Sequence, residues 1–325
     1  MLCRKTLGLF ALGAALVLPT GPALAAYPER PITLVVNYPP GGLLDITARL
    51  FAEDAGKQLG QAVIVENRAG ANGQVGAQHV ARQKPDGYTL LLTVDTLYTV
   101  NPFIYVKSNF DARKDLSPIS MVGSFSQTLL THPDEKITSF AEFIEKARTE
   151  DITYATAGIG APGHLTMEYL NQKIKGNMIH VPYQGNAPAT TGLVSGQTQA
   201  GFLAIGGAIQ FVESERLVPL AVSSAERDPL MPNVATIQES GLEGLEDFDV
   251  EFGFTLMGPK GLSDELKDKW SALIEHAFAN PRILDTLQTM NLNPLHTKPV
   301  DTQTRLDKVA EQWKTVIEHG NISTD

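Results

Sequence analysis

Short β-branched and apolar runs alternate with longer amphipathic segments along most of this chain. Residues 32–36 form a strand-like run, a Pro/Gly turn follows, and residues 44–59 then have the apolar spacing of a helix. Later cycles repeat this order. The further predicted strands are 63–66, 88–94, 128–131, 153–157 and 179–182, and the further helical segments are 75–84, 139–148, 165–173 and 187–193. Such alternation is typical of an α/β fold with a largely parallel sheet.

The pattern becomes helical after Pro259. A helix is predicted from Ser263 to about residue 279, and two more follow near 282–290 and 300–319. Since domains average ~150 residues, a chain of 325 residues suggests two of them. We expect two α/β lobes joined by crossing strands, with a cleft between them and the final helices packed on the first lobe.

The first 25 residues have the parts of a secretory signal peptide. Arg4 and Lys5 precede a short apolar run, and an Ala-Leu-Ala cleavage triplet ends at Ala25. The run is shorter than the ~20 residues that a membrane-spanning helix needs, so export with cleavage after Ala25 is predicted over an N-terminal anchor. Cys3 precedes the apolar run, so it cannot carry a lipid, and the mature chain contains no cysteine.

The charge balance restricts the partners. Cleavage removes Arg4 and Lys5 and no acidic residue, so the 26 basic residues become 24 against 36 acidic ones, for a net charge of −12. Such an acidic chain argues against nucleic acid and anionic membrane surfaces as partners. No later segment is apolar enough to span a membrane, so the mature protein is expected to be soluble, not membrane-embedded, and monomeric.

A G-x-G-x-x-G sequence at residues 158–163 lies between a predicted strand and a predicted helix, the context of a dinucleotide-binding loop. That fingerprint also needs an acidic residue at the end of the next strand. Here residues 180–185 read His-Val-Pro-Tyr-Gln-Gly, without an acid. We therefore predict no cofactor and interpret the loop as an anion cradle at a helix N-terminus.

A second loop of this type occupies residues 39–45, Pro-Pro-Gly-Gly-Leu-Leu-Asp. Two such loops, one on each lobe, would hold one carboxylate with backbone N–H groups and helix dipoles. The alternative is that both are ordinary turns. Asp45 is either a helix-start residue that the dipole favours or a group that orients waters. Thr93, Asp95 and Thr96 close a strand, so they lie at the carboxyl end of the sheet, where ligands bind in open α/β folds.

Nothing in the sequence points to catalysis. The seven histidines lack metal-binding spacings such as H-x-x-x-H, so no metal site is predicted, and there is no G-x-S-x-G nucleophile motif. His164 directly follows the glycine loop and either contacts a ligand or makes a helix-start hydrogen bond. The chain is not expected to be an enzyme.

Several short motifs run in order along nearly the whole mature chain. They are YPERPI at 27–32, YPPGG at 38–42, VENRAGANG at 65–73, KPDGYTL at 84–90, YATAG at 154–158, VPYQG at 181–185 and ESG at 239–241. Together they resemble the Bug family, the periplasmic receptors of tripartite tricarboxylate transporters. The resemblance implies a two-lobed α/β fold of the type II periplasmic binding protein class with a ligand cleft. Within it we expect residues 26–125 and 255–325 to form the first lobe and 126–254 the second.

The resemblance also implies a binding site. In that family the loops matching 40–45 and 158–164 grip the carboxylate of a small organic acid, partly through ordered waters. The strand end at Thr93, the turn at Asn72 and the segment from Tyr183 line the same cleft. The ligand-binding residues so implied are Tyr38, Pro40, Gly41, Gly42, Leu43, Asp45, Asn72, Thr93, Gly158, Ile159, Gly160, Ala161, His164, Tyr183, Ala204 and Phe252.

Two departures from the family affect the far end of the ligand. Many relatives carry an Asp-Asn pair where residues 203–207 read Leu-Ala-Ile-Gly-Gly, and often a Trp near 251–253, which read Glu-Phe-Gly here. A more apolar pocket favours an aliphatic or aromatic carboxylate over an amino acid.

The predicted function is capture of a small organic carboxylate, either a dicarboxylate or an aromatic or aliphatic acid, in the periplasm. The membrane components of a tripartite transporter would receive it. The alternative is a ligand-sensing receptor that signals to a periplasmic sensor domain. Both roles need the same binding site, so the sequence does not separate them.

Overall fold

A computed structural model describes residues 27–324 and arranges them around two β-sheets. The strands are β1 (Ile32–Val36), β2 (Val63–Asn67), β3 (Thr89–Val94), β4 (Leu116–Phe125), β5 (Gln127–Thr131), β6 (Ile152–Thr156), β7 (Met178–Pro182), β8 (Ala200–Ala204), β9 (Val218–Val222), β10 (Phe252–Pro259) and β11 (Asn293–Pro294). The predicted signal peptide at residues 1–25 lies outside the described residues.

Helices cover both sheets. They are α1 (Leu43–Leu59), α2 (Gln74–Ala81), α3 (Thr96–Thr99), α4 (Asn101–Ile104), α5 (Ala112–Asp115), α6 (Phe140–Thr149), α7 (Pro162–Ile174), α8 (Asn186–Val194), α9 (Ile205–Glu213), α10 (Asp264–Ala277), α11 (Pro281–Thr289) and α12 (Pro299–Gly320). The predicted start of α6 is confirmed as a capping box between Ser139 and Glu142. Between residues 27 and 324, no helix combines the length and apolar character that crossing a membrane requires.

The six-stranded sheet has the order β11-β4-β10-β3-β1-β2, and the five-stranded sheet has the order β7-β6-β8-β5-β9. As the alternating pattern leads one to expect, several strand pairs are parallel: β1 with β2 and β3, and β6 with β7 and β8. Antiparallel strands extend each sheet: β10 beside β3 and β4, and β5 beside β8 and β9. We call the six-stranded sheet with its helices the first lobe and the five-stranded sheet with its helices the second lobe.

The chain passes between the lobes at two adjacent places. β4 ends at Phe125 in the first lobe, and β5 begins at Gln127 in the second. The return strand β10 places Phe252 opposite Phe125. Two neighbouring crossing strands form a hinge about which lobes can move relative to one another.

The last helix, α12, packs on both lobes. On the first lobe, the hydroxyl of Tyr98 donates to the Asp307 carboxylate at 3.0 Å. On the second, the Gln172 amide of α7 donates to the carbonyl of Val316 at 2.8 Å. Trp313 is 2% exposed and stacks on the phenyl ring that begins β10, with centroids 5.5 Å apart. The helix therefore braces the hinge. The prediction that the final helices pack on the first lobe covers only part of this, because α12 also contacts the second lobe.

Candidate functional site

Asp45 shapes the loop between β1 and α1. One carboxylate oxygen accepts the N–H of Gly41 at 2.9 Å, and Arg49 donates to both oxygens at 3.1 and 2.9 Å. Asn67 adds a hydrogen bond at 2.9 Å. Burial acts to raise the pKa of Asp45, but these bonds outweigh it and hold the pKa below its ordinary value. Asp45 is therefore ionised and holds the loop in place, and both of its oxygens already accept hydrogen bonds.

The loop that Asp45 braces presents free N–H groups. Gly42 and Leu43 open α1, and within the described chain their N–H groups make no hydrogen bond. A Cβ at Gly42 would meet only the Pro39 carbonyl oxygen, at 4.0 Å, so the space in front of the helix is open. An uncapped helix N-terminus facing open space is a site for an anion.

A chain of polar side chains lies beside this loop. The Tyr38 hydroxyl donates to the Asn72 side-chain oxygen at 3.0 Å, and the Asn72 amide donates to Asn101 at 3.0 Å. Asn101 donates back to the Asn72 carbonyl at 3.0 Å. Burial raises the pKa of Tyr38 far above its ordinary value, so its hydroxyl keeps its proton. The chain of bonds ties the glycine-rich turn at 70–73 to α4.

Three of the residues singled out at the strand ends are buried in the first lobe. Thr93 is 0% exposed and accepts a hydrogen bond from Asn37 at 2.9 Å. Phe252 is 1% exposed and packs against α12. Asp95 pairs with Gly253 through two bonds of 2.8 Å, and burial raises its pKa to about 7. These residues therefore lie in the interior of the first lobe, and Asp95 and Phe252 contact the crossing strand β10 or the helix α12.

In the second loop, between β6 and α7, most N–H groups donate hydrogen bonds to acceptors at the end of β6, within the loop or in the first turn of α7. Gly158 and Gly160 have φ of +129° and +74°, in the left-handed region that favours glycine. Gly158 donates to the Thr156 hydroxyl at 3.2 Å, and Gly160 donates to Nδ1 of His164 at 3.1 Å. Within the described residues the N–H of Ile159 makes no hydrogen bond, and its side chain is partly exposed. Ile159 is therefore one donor that this loop offers.

A column of stacked rings supports the second loop. The imidazoles of His164 and His180 lie 3.8 Å apart, and Tyr154 stacks on His180 at 5.2 Å. Burial lowers the pKa of His164 to about 3, with the neighbouring imidazole adding to the shift, and burial lowers that of His180 to about 4. Both rings are therefore neutral near pH 7. Because Nδ1 of His164 accepts a hydrogen bond, its proton is assigned to Nε2.

These histidines should make the protein less stable in mild acid. Unfolded histidine takes up a proton near pH 6.5, whereas the folded rings stay neutral to about pH 4. Between these values the unfolded chain binds more protons, so the free energy of unfolding decreases as pH falls, by at most about 1.4 kcal/mol per pH unit for each proton. The buried Asp95 acts in the opposite direction over part of this range, because its pKa is raised to about 7, so the histidine effect is measured as a difference between proteins. In thermal unfolding from about pH 7.5 to about pH 5, His180→Gln should lose less stability than wild type, and His319→Gln, an exposed control, should match wild type. Equal slopes in all three proteins would contradict the assignment.

Two glycines of the second lobe touch the first lobe. A Cβ at Gly160 would overlap Cδ1 of Ile104 and lie 3.5 Å from the Asn72 amide. At the other end of the cleft, a Cβ at Gly206 of α9 would lie 2.7 Å from the carbonyl oxygen of Met290, just after α11. The two lobes therefore touch at two separate places, one at Gly160 and one at Gly206.

Of the remaining predicted residues, Tyr183, Ala161 and Ala204 lie in the second lobe and Pro40 lies in the first. The Tyr183 carbonyl is 3.5 Å from the Cβ position of Gly158, and the Tyr183 hydroxyl donates to Gln197 at 3.3 Å. Ala204 ends β8 opposite Gln127 and begins α9. Ala161 is 5% exposed and Pro40 is exposed on the first loop.

Several contributing residues were not predicted. Arg49 lies four residues after Asp45 on one helix face, a spacing that could have indicated the pair. Gly163 is required because a Cβ there would overlap the Phe202 carbonyl, the role of the third glycine in a G-x-G-x-x-G turn. Ile104 and Gly206 carry no such signal. Over residues 27–324, no group of three or more His, Cys, Asp or Glu could hold a metal ion.

Comparisons of the sequence and of the fold with known proteins point to the same group of proteins. The family model described as "Tripartite tricarboxylate transporter family receptor" matches residues 47–322. A UPF0065 protein from the tcbD-tcbE intergenic region of Pseudomonas sp. (strain P51) is 30% identical over 94% of this chain and 92% of its own. The structure of the periplasmic binding protein BugD is 30% identical, with a TM-score of 0.78 over 91% of this chain and 99% of that one. An R. palustris protein solved with adipate is 26% identical, with a TM-score of 0.82 over 91% and 99%.

Proposed function

The chain belongs to the tripartite tricarboxylate transporter receptor family, a family of periplasmic solute-binding proteins and not of enzymes, and we propose that it captures a small organic carboxylate between its lobes. The observation that carries the proposal is a pair of glycine loops, one on each lobe, that both offer N–H groups without acceptors. Gly42 and Leu43 on the first lobe and Ile159 on the second have N–H groups without acceptors in the described chain. The adipate bound by a similar protein supports a carboxylate as the ligand class.

The proposed binding mode needs no basic side chain. A carboxylate between the loops would accept hydrogen bonds from both lobes and lie at the N-termini of α1 and α7, which run for 17 and 13 residues. The negative charge of Asp45 would repel the anion, but the Arg49 guanidinium paired with it offsets that charge. A ligand gripped by both loops binds the closed form better than the open form, and this difference in affinity would drive closure.

We divide the predicted site residues by role. Tyr38, Gly41, Gly42, Leu43, Ile159 and Tyr183 would line the ligand, whereas Asp45, Thr93, Gly158, Gly160 and Phe252 would hold the lining in place. Pro40, Asn72, Ala161, His164 and Ala204 border the same cleft in this proposal. The lobe boundaries proposed are 26–125 with 255–325, and 126–254. The membership of the strands in the two sheets supports them, except that β10 already joins the first sheet at Phe252.

The proposed location is the periplasm, after cleavage following Ala25, and the proposed partners are the membrane components of a tripartite transporter. Family membership supports both. We propose that the protein acts as a monomer, since each chain has both loops that the carboxylate needs.

A thermal-shift screen of the mature protein tests the proposed function. The panel is adipate, succinate, hexanoate and benzoate, with NAD and the fully methylated ester of each acid (the dimethyl ester for the two diacids) as controls. At least one acid should raise the melting temperature, by the equivalent of roughly 2.7 kcal/mol at 100 times its dissociation constant. Its ester should have no effect, because the ester lacks the charge that the loops hold. Stabilisation by esters and acids alike, or by NAD alone, would contradict a carboxylate cleft.

A further inference from the structure

His164 reaches back from the first turn of α7 to the loop before it. Its Nδ1 accepts the Gly160 N–H at 3.1 Å, and the residue is 5% exposed. A second bond, from the His164 N–H to the Ala161 carbonyl at 3.0 Å, closes the same turn. The side chain therefore satisfies a buried backbone N–H that would otherwise have no partner, which gives the bond more weight than an exposed one.

Neighbouring groups fix the ring that makes this bond. The His164 and His180 rings are nearly parallel, at 14°, and 3.8 Å apart. His180 Nε2 lies 2.6 Å from the Thr156 hydroxyl, which also bonds to Gly158. Beneath them, Tyr154 donates to the carboxylate of Glu168. The column runs from the core of the second lobe to the loop and leaves the His164 ring little freedom to turn.

The braced loop is also the part of the second lobe that meets the first. Gly160 lies against Ile104 and near the Asn72 amide. Ile159, one residue earlier, carries the free N–H. The acceptor at His164 thus sets both how closely the lobes approach and where the Ile159 donor lies.

We propose that His164 is a positioning residue for lobe closure, acting through Nδ1 on Gly160 and not through direct contact with the ligand. The proposal rests on the proposed function. It replaces direct ligand contact as the role of His164, because Nδ1 is already occupied and the ring lies within the stack. A residue that acts only through the loop is replaceable by another acceptor at the same place.

Two isosteric substitutions test this. The amide of His164→Asn can place an oxygen near the Nδ1 position, whereas the longer side chain of His164→Gln places its amide nearer Nε2. With adipate as the probe in calorimetry, we expect His164→Asn to bind within about threefold of wild type, and His164→Gln to bind at least about tenfold more weakly, the loss expected for one buried hydrogen bond. The thermal unfolding of both variants is measured alongside.

Hydrogen exchange at the Gly160 amide gives a readout that needs no ligand. Exchange should be slow in wild type and His164→Asn and fast in His164→Gln. If both variants bind adipate like wild type although the Gly160 amide exchanges fast, or if both lose binding equally while it stays protected, the positioning role is wrong. Failure of wild type to bind any acid of the panel would instead count against the proposed function, and the exchange pattern would still decide on the brace.

Discussion

Replacement of Gly160 by valine should weaken adipate binding about a hundredfold or more, a loss of roughly 3 kcal/mol, because the new side chain obstructs the closed state. The backbone strain that it also adds is present with and without ligand, so that part lowers stability instead of affinity. Gly160 has φ of +74°, where a non-glycine residue costs about 1–2 kcal/mol and a β-branched one costs more. Its Cβ would also overlap Ile104 of the first lobe. This second effect arises only when the lobes close, so it falls on the ligand-bound state. Calorimetry measures the affinity, and small-angle scattering measures closure.

A double variant separates strain from contact. In Gly160→Ala the conformational cost remains, and adding Ile104→Val removes the Cδ1 atom that the new Cβ would meet. If closure depends on this contact, the double variant should bind adipate more tightly than Gly160→Ala alone. It should also regain the decrease in radius of gyration on binding. Wild-type affinity in Gly160→Val would mean that the second loop does not meet α4 in the bound protein.

The alternating pattern predicted most of the fold because it reflects local geometry. The predicted strand at 32–36 is β1, and the predicted helices at 139–148 and 165–173 correspond to α6 and α7. Among the strands that the pattern missed, β4 and β9 share a reason. β4 contains Pro118 and Gly123, and β9 contains Pro219. Proline and glycine disfavour regular strands, and the structure accommodates them through register shifts between β4 and β10 and by placing β9 at a sheet edge.

The site was only partly predictable. Both glycine loops follow from their strand–turn–helix context, but which of their N–H groups remain free does not. That depends on side-chain acceptors: Asp45 takes the Gly41 N–H, and His164 takes that of Gly160. The contacts of Ile104 and Met290 with the second lobe join segments distant in sequence, for which no local pattern exists. Neighbouring residues in the sequence determine the type of loop. Which N–H groups stay free, and how the lobes meet, depend on contacts that form only in the folded chain.

At the opposite end of the cleft, alanine at Gly206 should weaken adipate binding about tenfold or more, whereas alanine at Gly207 should not. A clash that costs ~1.4 kcal/mol in the closed state raises the dissociation constant tenfold. Both glycines lie in the first turn of α9, without positive φ, so each substitution gains up to about 1 kcal/mol of helix stability. Only at Gly206 would the new Cβ lie 2.7 Å from the Met290 carbonyl oxygen. At Gly207 it would meet nothing within 4 Å.

The two alanine variants therefore form a matched pair whose difference isolates the contact between the lobes. Without ligand, in an open state, both should melt at or above the wild-type temperature. With adipate, Gly207→Ala should show the wild-type shift, and Gly206→Ala a smaller one, because the backbone carbonyl of Met290 moves aside less readily than a side chain would. Met290 is held between α11 and β11, whose residue Asn293 pairs with Ser124 of β4. Equal shifts in the two variants would mean that the bound cleft stays open at this end.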